Sequence, residues 1–159
     1  MAYTNLGSKV YFSPTPRPTE MTQLEFEAID DWEDLGCVGD VSEIGSTGNI
    51  VSYECWGTGE AKKSKGIRDY GDVTIEMLYD AENEGQDALR EAETTNFNYA
   101  LKIEYGDAPD EEHTGTVLYV RGPVSGWSIP NGGPEDFQVR SVTIGVNQRP
   151  IEVKPEEIE

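Results

Sequence analysis

The only histidine, His113, lies in the stretch Pro109-Asp110-Glu111-Glu112-His113-Thr114-Gly115. A single imidazole without a partner cannot by itself assemble a nucleophilic triad. Asp110, Glu111, Glu112 and His113 could attract a cation, yet adjacent positions in a turn-forming stretch lack the spread of a dedicated metal site. A second candidate, Gly57-Thr58-Gly59-Glu60-Ala61-Lys62-Lys63-Ser64, imitates a phosphate-binding loop, since Gly57, Lys63 and Ser64 match the pattern G-x-x-x-x-G-K-[ST]. Lys62 stands where the second glycine is required. No helix follows to offer its N-terminus to a phosphate. Paired carboxylates of the glycosidase kind remain conceivable, but 31 acidic residues supply so many pairs that abundance singles out none. Nothing here predicts an enzyme, and no cofactor or metal is implied.

What survives of the second candidate is its charge. Lys62, Lys63, Lys65 and Arg68 hold four of the twelve cations of the chain within seven residues. Two readings fit: a solvated loop, or a cationic tongue that docks on an acidic copy of the same protein. Trp56 and Leu78 are the apolar candidates for such contacts. Trp32, Trp56 and Trp127 are read as core or interface residues, with an aromatic sugar platform as the other option. Cys37 and Cys55 are the only cysteines, neither in a CxxC, and buried thiols are expected over a disulfide.

The whole chain is acidic. Against twelve Lys and Arg stand thirty-one Asp and Glu, a formal charge of -19 spread along all 159 residues rather than gathered in a tail. That balance argues against tight nucleic-acid binding, which depends on cationic contacts to phosphates. The length fits one domain with a modest core. Residues 1–20 show no apolar signal segment, and no run approaches the roughly 20 apolar residues of a membrane span, so manufacture in the cytoplasm without membrane insertion is expected.

The elements that must position these residues are mostly strands. Apolar alternations run over Leu24–Ile29, Ile50–Trp56, Val73–Tyr79, Phe97–Tyr105, Val117–Val120 and Phe137–Val146, with a short strand-like run at Lys9–Phe12. In Val73–Tyr79 the apolar side chains share one face and Leu78 is the single apolar residue on the other. One helix interrupts the strands. Asn83 and Gln86 form an N-cap and its capping-box partner for a helix over residues 84–93, with Ala88, Leu89 and Ala92 on one stripe. The predicted fold is mainly β, an antiparallel sandwich or barrel with this one short packed helix and long loops. The apolar phase changes between Val139 and Val142, which predicts a bulge or bend near Arg140 and Ser141. Long polar connections are expected at Gly57–Tyr70, Gly106–Gly115 and Gly122–Glu135. Prolines at 14, 16 and 18 make residues 1–22 an extended, mobile arm. Residues 23–153 then form a single β domain, and residues 154–159 an acidic tail.

Two segments carry a resemblance. Trp32–Gly45, WEDLGCVGDVSEIG, looks like an early strand pair with a tryptophan, a glycine-bearing turn and an Ile-Gly ending. In Asp69–Leu89 a glycine-centred turn, a strand ending in an acidic residue and a Gly-Gln followed by Leu fall on Gly71, Asp80, Gly85, Gln86 and Leu89. In these patches the chain resembles the major tail tube proteins of long-tailed, non-contractile bacteriophages, the lambda-like siphovirus group. The resemblance implies a β-sandwich with a flanking helix. It also implies hexameric rings stacked into a tube around a tape measure protein, bounded by tail tip and tail terminator proteins, and later traversed by DNA. Similar tubes occur in contractile tails and type VI secretion. The expected place is the virion tail, assembled in the host cytoplasm. An end soon after Val153 would leave no room for an added immunoglobulin-like domain. A lumen lined by carboxylates would repel phosphate and let DNA slide. The competing functional reading is a β-sandwich binding or adhesion module that recognises a glycan or protein through Trp127.

Overall fold

The computed structural model describes residues 2–157. Met1 of the expected arm and Ile158 and Glu159 of the expected tail lie outside the described residues. The most regular strand is β6 (Asp72–Leu78), in which Val73, Ile75 and Met77 are buried while Asp72, Thr74, Glu76 and Leu78 face outward. Gly71 makes the turn into it at φ +72°, a conformation that favours glycine. The carboxylate of Asp69 accepts from the Gly71 N–H at 2.8 Å.

The main sheet runs β2 (Glu33–Asp34), β1 (Lys9–Phe12), β7 (Asn98–Glu104), β8 (Val117–Ser128), β9 (Val139–Gly145), β6 and β3 (Val38–Val41), and β10 (Ile151–Val153) joins β8. All of these pairs are antiparallel. Strand β8 serves both halves of the sheet. Up to Pro123 it pairs with β7, and from Val124 onward it pairs with β9, with a register irregularity between Val124 and Gly126. There the sheet folds over, so Val10, Phe12, Leu101 and Ile103 from one half share a core with Val73, Ile75, Val142 and Ile144 from the other. The result is an open antiparallel sandwich and not a closed barrel.

No register irregularity marks Arg140 and Ser141, where a bulge or bend is expected. Strand β9 stays in unbroken register with β6 from Val139 to Gly145. Phe137 precedes the strand and is 80% exposed, so the apparent phase change marks the strand's start, and the irregularity sits across the sheet in β8.

Helix α2 (Glu84–Glu93) forms as expected, capped by Asn83 and burying Gly85, Gln86, Leu89 and Ala92. Gly85 lets it lie close to the sheet, because a Cβ there would meet the Asp34 carbonyl oxygen at 2.9 Å. The capping box is only half formed. The Asn83 Oδ1 accepts from the Gln86 N–H at 3.0 Å, but the Gln86 side chain turns away into the core. A second helix, α1 (Gln23–Glu27), replaces the strand expected at Leu24–Ile29. Its one buried residue is Phe26, and Ile29, just beyond the helix, is buried beside it. Phe26 stacks on Tyr119 at 5.0 Å, and Trp32 lies 6.3 Å from the same ring. These side chains cover the outer face of β7 and β8.

The N-terminal segment is part of this body. Phe12 and Ser13 are fully buried. The Ser13 and Arg17 N–H groups donate to the Ala100 and Asn98 carbonyls. The prolines keep residues 13–18 out of regular structure, but backbone hydrogen bonds and a cluster around Asp31 hold the segment down. The Gly122–Glu135 connection is shorter than expected because β8 continues to Ser128.

Candidate assembly interface

The expected Gly57–Tyr70 loop is a strand. Strand β5 (Glu60–Asp69) pairs with β4 (Thr47–Cys55) from Thr47↔Asp69 to Cys55↔Glu60, and the two form a separate two-stranded sheet. The chain reverses at Gly59, where φ is +70° and the N–H donates to the Cys55 carbonyl at 2.9 Å. The polar, lysine-rich composition of β5 hid it, because with neither face buried no period of two is imposed on the sequence.

The register divides the cations between two faces. Lys63, Lys65 and Arg68 fall on the side of Ile50, opposite Ser52, Ile50 and Gly48, while Lys62 shares the other side with Val51 and Tyr53. Lys62 Nζ lies 3.3 Å from Glu60 Oε2, an exposed pair of the kind that contributes little. Arg149, from outside the ribbon, joins Lys65 and Arg68 around a notch of about 240 Å³ that no acidic side chain lines among the described residues. Arg149 is the cation that sequence reasoning missed, since 81 positions separate it from Arg68 in the chain.

The ribbon is exposed nearly throughout, including Ile50, Val51, Tyr53 and Ile67. Trp56, at the turn, is 97% exposed. A lone two-stranded hairpin is marginally stable at best in water. Contiguous exposed apolar side chains rimmed by polar ones mark an interaction surface. Leu78 is not part of this surface. It sits at the far end of β6, 37% exposed and opposite Val139. There Tyr79 lies under Arg140, whose guanidinium carbon is 3.8 Å from the ring centroid, near exposed Phe137.

The residues considered for chemistry are scattered. His113 Nδ1 lies 2.7 Å from Asp110 Oδ1 in an exposed loop, and the hydrogen bond from His113 holds the Asp110 carboxyl below its usual range. Among the described residues no group of three or more His, Cys, Asp or Glu is arranged to hold a metal ion. Trp127 lies in β8, half-buried against the main core, and not in a loop where a sugar would stack. Trp32 is also half-buried. Cys37 is exposed and Cys55 half-buried, and both are free thiols, so the expectation of buried thiols fails at Cys37. No helix among the described residues is long and apolar enough to cross a membrane.

Solved structures superpose on this chain over nearly its whole length. A chain of the anti-feeding prophage baseplate superposes with a TM-score of 0.69 at 9% identity, covering 97% of this chain and 98% of that one. A chain of the sheath/tube terminator assembly of the extracellular contractile injection system PVC gives 0.68 at 14% identity, over 96% and 97% of the two chains. The SPP1 tail tube gives 0.61 at 13% identity, over 96% of this chain and 78% of that one. No protein-family model matches the sequence, and no curated protein matches it. The chain has the tail tube fold.

Proposed function

We propose that this chain is a structural, non-enzymatic subunit that forms rings and stacks them into a hollow tube, as part of a bacteriophage tail or a phage-like particle. The observation that carries the reading is the β4–β5 ribbon, whose apolar side chains stand uncovered by any of the described residues. The likeness to tube assemblies supports it. The ring is hexameric in this reading. The tube forms in the host cytoplasm around a tape measure protein, between tail tip and terminator proteins. The face of β6 and β9 that carries Asp72, Thr74, Glu76, Ser141 and Thr143 has no cation and suits a lumen along which DNA slides without sticking.

Negative-stain electron microscopy of concentrated protein at raised salt, which screens the self-repulsion of -19 charges per copy, is the test. Rings or tubes are expected, and a chain that stays monomeric under every condition sinks the reading. The triple substitution Lys62→Glu, Lys63→Glu, Lys65→Glu is expected to fold and to block tube growth. If it still forms tubes, the ribbon's cations have no part in assembly.

A further inference from the structure

The fold-over of the sheet leaves an open mouth. Between β3 on one wall and β1, β7 and β8 on the other lies a cleft of about 580 Å³. Its floor is apolar, with Val10, Val41, Ile44, Ile103 and Leu118, and its rim carries four carboxylates, Asp40, Glu43, Asp107 and Glu152. Among the described residues no Lys or Arg lines it. Asp107 is held in place by Thr116, whose N–H and Oγ1 each donate to it at 2.7 Å. Partial burial, with the nearby charges of Glu152 and Asp107, pushes the Tyr105 hydroxyl pKa up, as expected of a negative pocket.

We infer that this cleft is the seat for the β4–β5 ribbon of a second copy of the chain, which rests on the tube reading above and names its docking site. Three properties match. The ribbon carries apolar side chains on both faces, Ile50 on one and Val51 and Tyr53 on the other, and the cleft has two apolar walls. The ribbon carries Lys62, Lys63, Lys65 and Arg68, and the rim carries four acids and no cation. Third, the ribbon of the same chain cannot fill the seat. It leaves from the rim just after Ile44, and its paired strands carry the turn about 30 Å away at ~3.3 Å per residue. Head-to-tail use of two different surfaces is the kind of contact that propagates a filament instead of closing a dimer.

The test exchanges charge between the two surfaces. One variant carries Lys63→Glu, Lys65→Glu and Arg68→Glu. The other carries Asp40→Lys, Glu43→Lys and Glu152→Lys, all at exposed positions. Wild type is expected to sediment as assemblies. Each variant alone is expected to raise the concentration needed for assembly by at least about tenfold, with an unchanged circular dichroism melt. Mixed in equal amounts they are expected to co-assemble, because each then offers a ribbon of opposite charge to the other's cleft. Hydrogen exchange on the wild type gives a second readout, with residues 38–44 becoming protected on assembly. If wild type assembles while the cleft variant behaves like it, or residues 38–44 stay unprotected, the cleft is not the seat and the tube reading stands. A wild type that never assembles removes both.

Discussion

Gln86 donates from Nε2 to the carbonyl oxygen of Leu78 at 2.9 Å. The same nitrogen donates to the Leu35 carbonyl at 3.0 Å, and the Gln86 Oε1 accepts from the Asp80 N–H at 3.1 Å. One buried amide therefore ties α2 to the end of β6 and to the segment between β2 and β3. All three side-chain partners are backbone groups, and the amide itself is buried.

Gln86→Leu keeps the volume roughly but strands two carbonyls and an N–H. Each unmatched buried group costs about 1–3 kcal/mol, so a loss of at least about 2 kcal/mol is expected in urea unfolding. Gln86→Glu is expected to lose more at neutral pH, because a carboxylate cannot donate to either carbonyl. A loss below about 1 kcal/mol for both would show that the amide is not the tie.

Replacing residues 49–67 with a short turn is expected to leave the melting temperature of the monomer within a few degrees of wild type, since the ribbon adds nothing to the core. Assembly is expected to vanish. A large fall in melting temperature would show that the ribbon supports its own fold.

Trp56→Ser removes a side chain that is 97% exposed. No change in monomer stability is expected, and a tenfold or greater weakening of assembly, about 1.4 kcal/mol or more, is expected of a tryptophan anchor. Concentration-dependent sedimentation reads both. Equal assembly of variant and wild type would exclude Trp56 from the contact.

Asp31 gathers the N-terminal segment, accepting from Ser13 Oγ at 2.8 Å, from Thr15, and from Arg17 at 3.3 Å. Partial burial pushes its pKa up, but the hydrogen bonds from Thr15 and Ser13 and the Arg17 charge outweigh this, and the pKa is lowered. A carboxyl whose folded pKa is lowered contributes stability in full above its unfolded value, near 3.9, and loses it as pH falls through the folded value. The stability difference between wild type and Asp31→Asn is expected to be constant from about pH 7 to 5 and to shrink below about pH 4. A difference that does not change with pH would mean the ionised form is not what holds the segment.

Phe12→Ala is expected to destabilise the fold by about 3–5 kcal/mol, because its ring is fully buried and lies 5.5 Å from that of Tyr99. Tyr3→Ala, at a half-exposed position, is expected to change stability by no more than about 0.5 kcal/mol. Equal, small effects would return residues 1–22 to the role of a mobile arm.

Strand β6, strand β7 and helix α2 were legible because their signals are local. Val73, Ile75 and Met77 alternate because one face is wet, and Asn83 caps because its own neighbours lack partners. The cations of the ribbon and Trp56 were also legible as residues, but their strand was not. Strand β5 is exposed on both faces, so no burial pattern is written into it. The helix at Gln23–Glu27 carries no distinct signal, because five residues are too few to separate a period of 2 from one of 3.6.

Composition and spacing alone thus settled the strand-rich architecture, the single longer helix, the acidity, and the cluster Lys62–Arg68 from which assembly was suspected. Tertiary structure decided the remainder. It put Gln86 on carbonyls 8 and 51 positions away, divided the four cations between two faces, brought Arg149 beside Arg68, and opened an acid-rimmed cleft between β3 and β1. The physical reason is the same in each case. A side chain's partner across a folded sheet is set by register and by where the sheet bends, and both are properties of paired strands and not of any one stretch of chain.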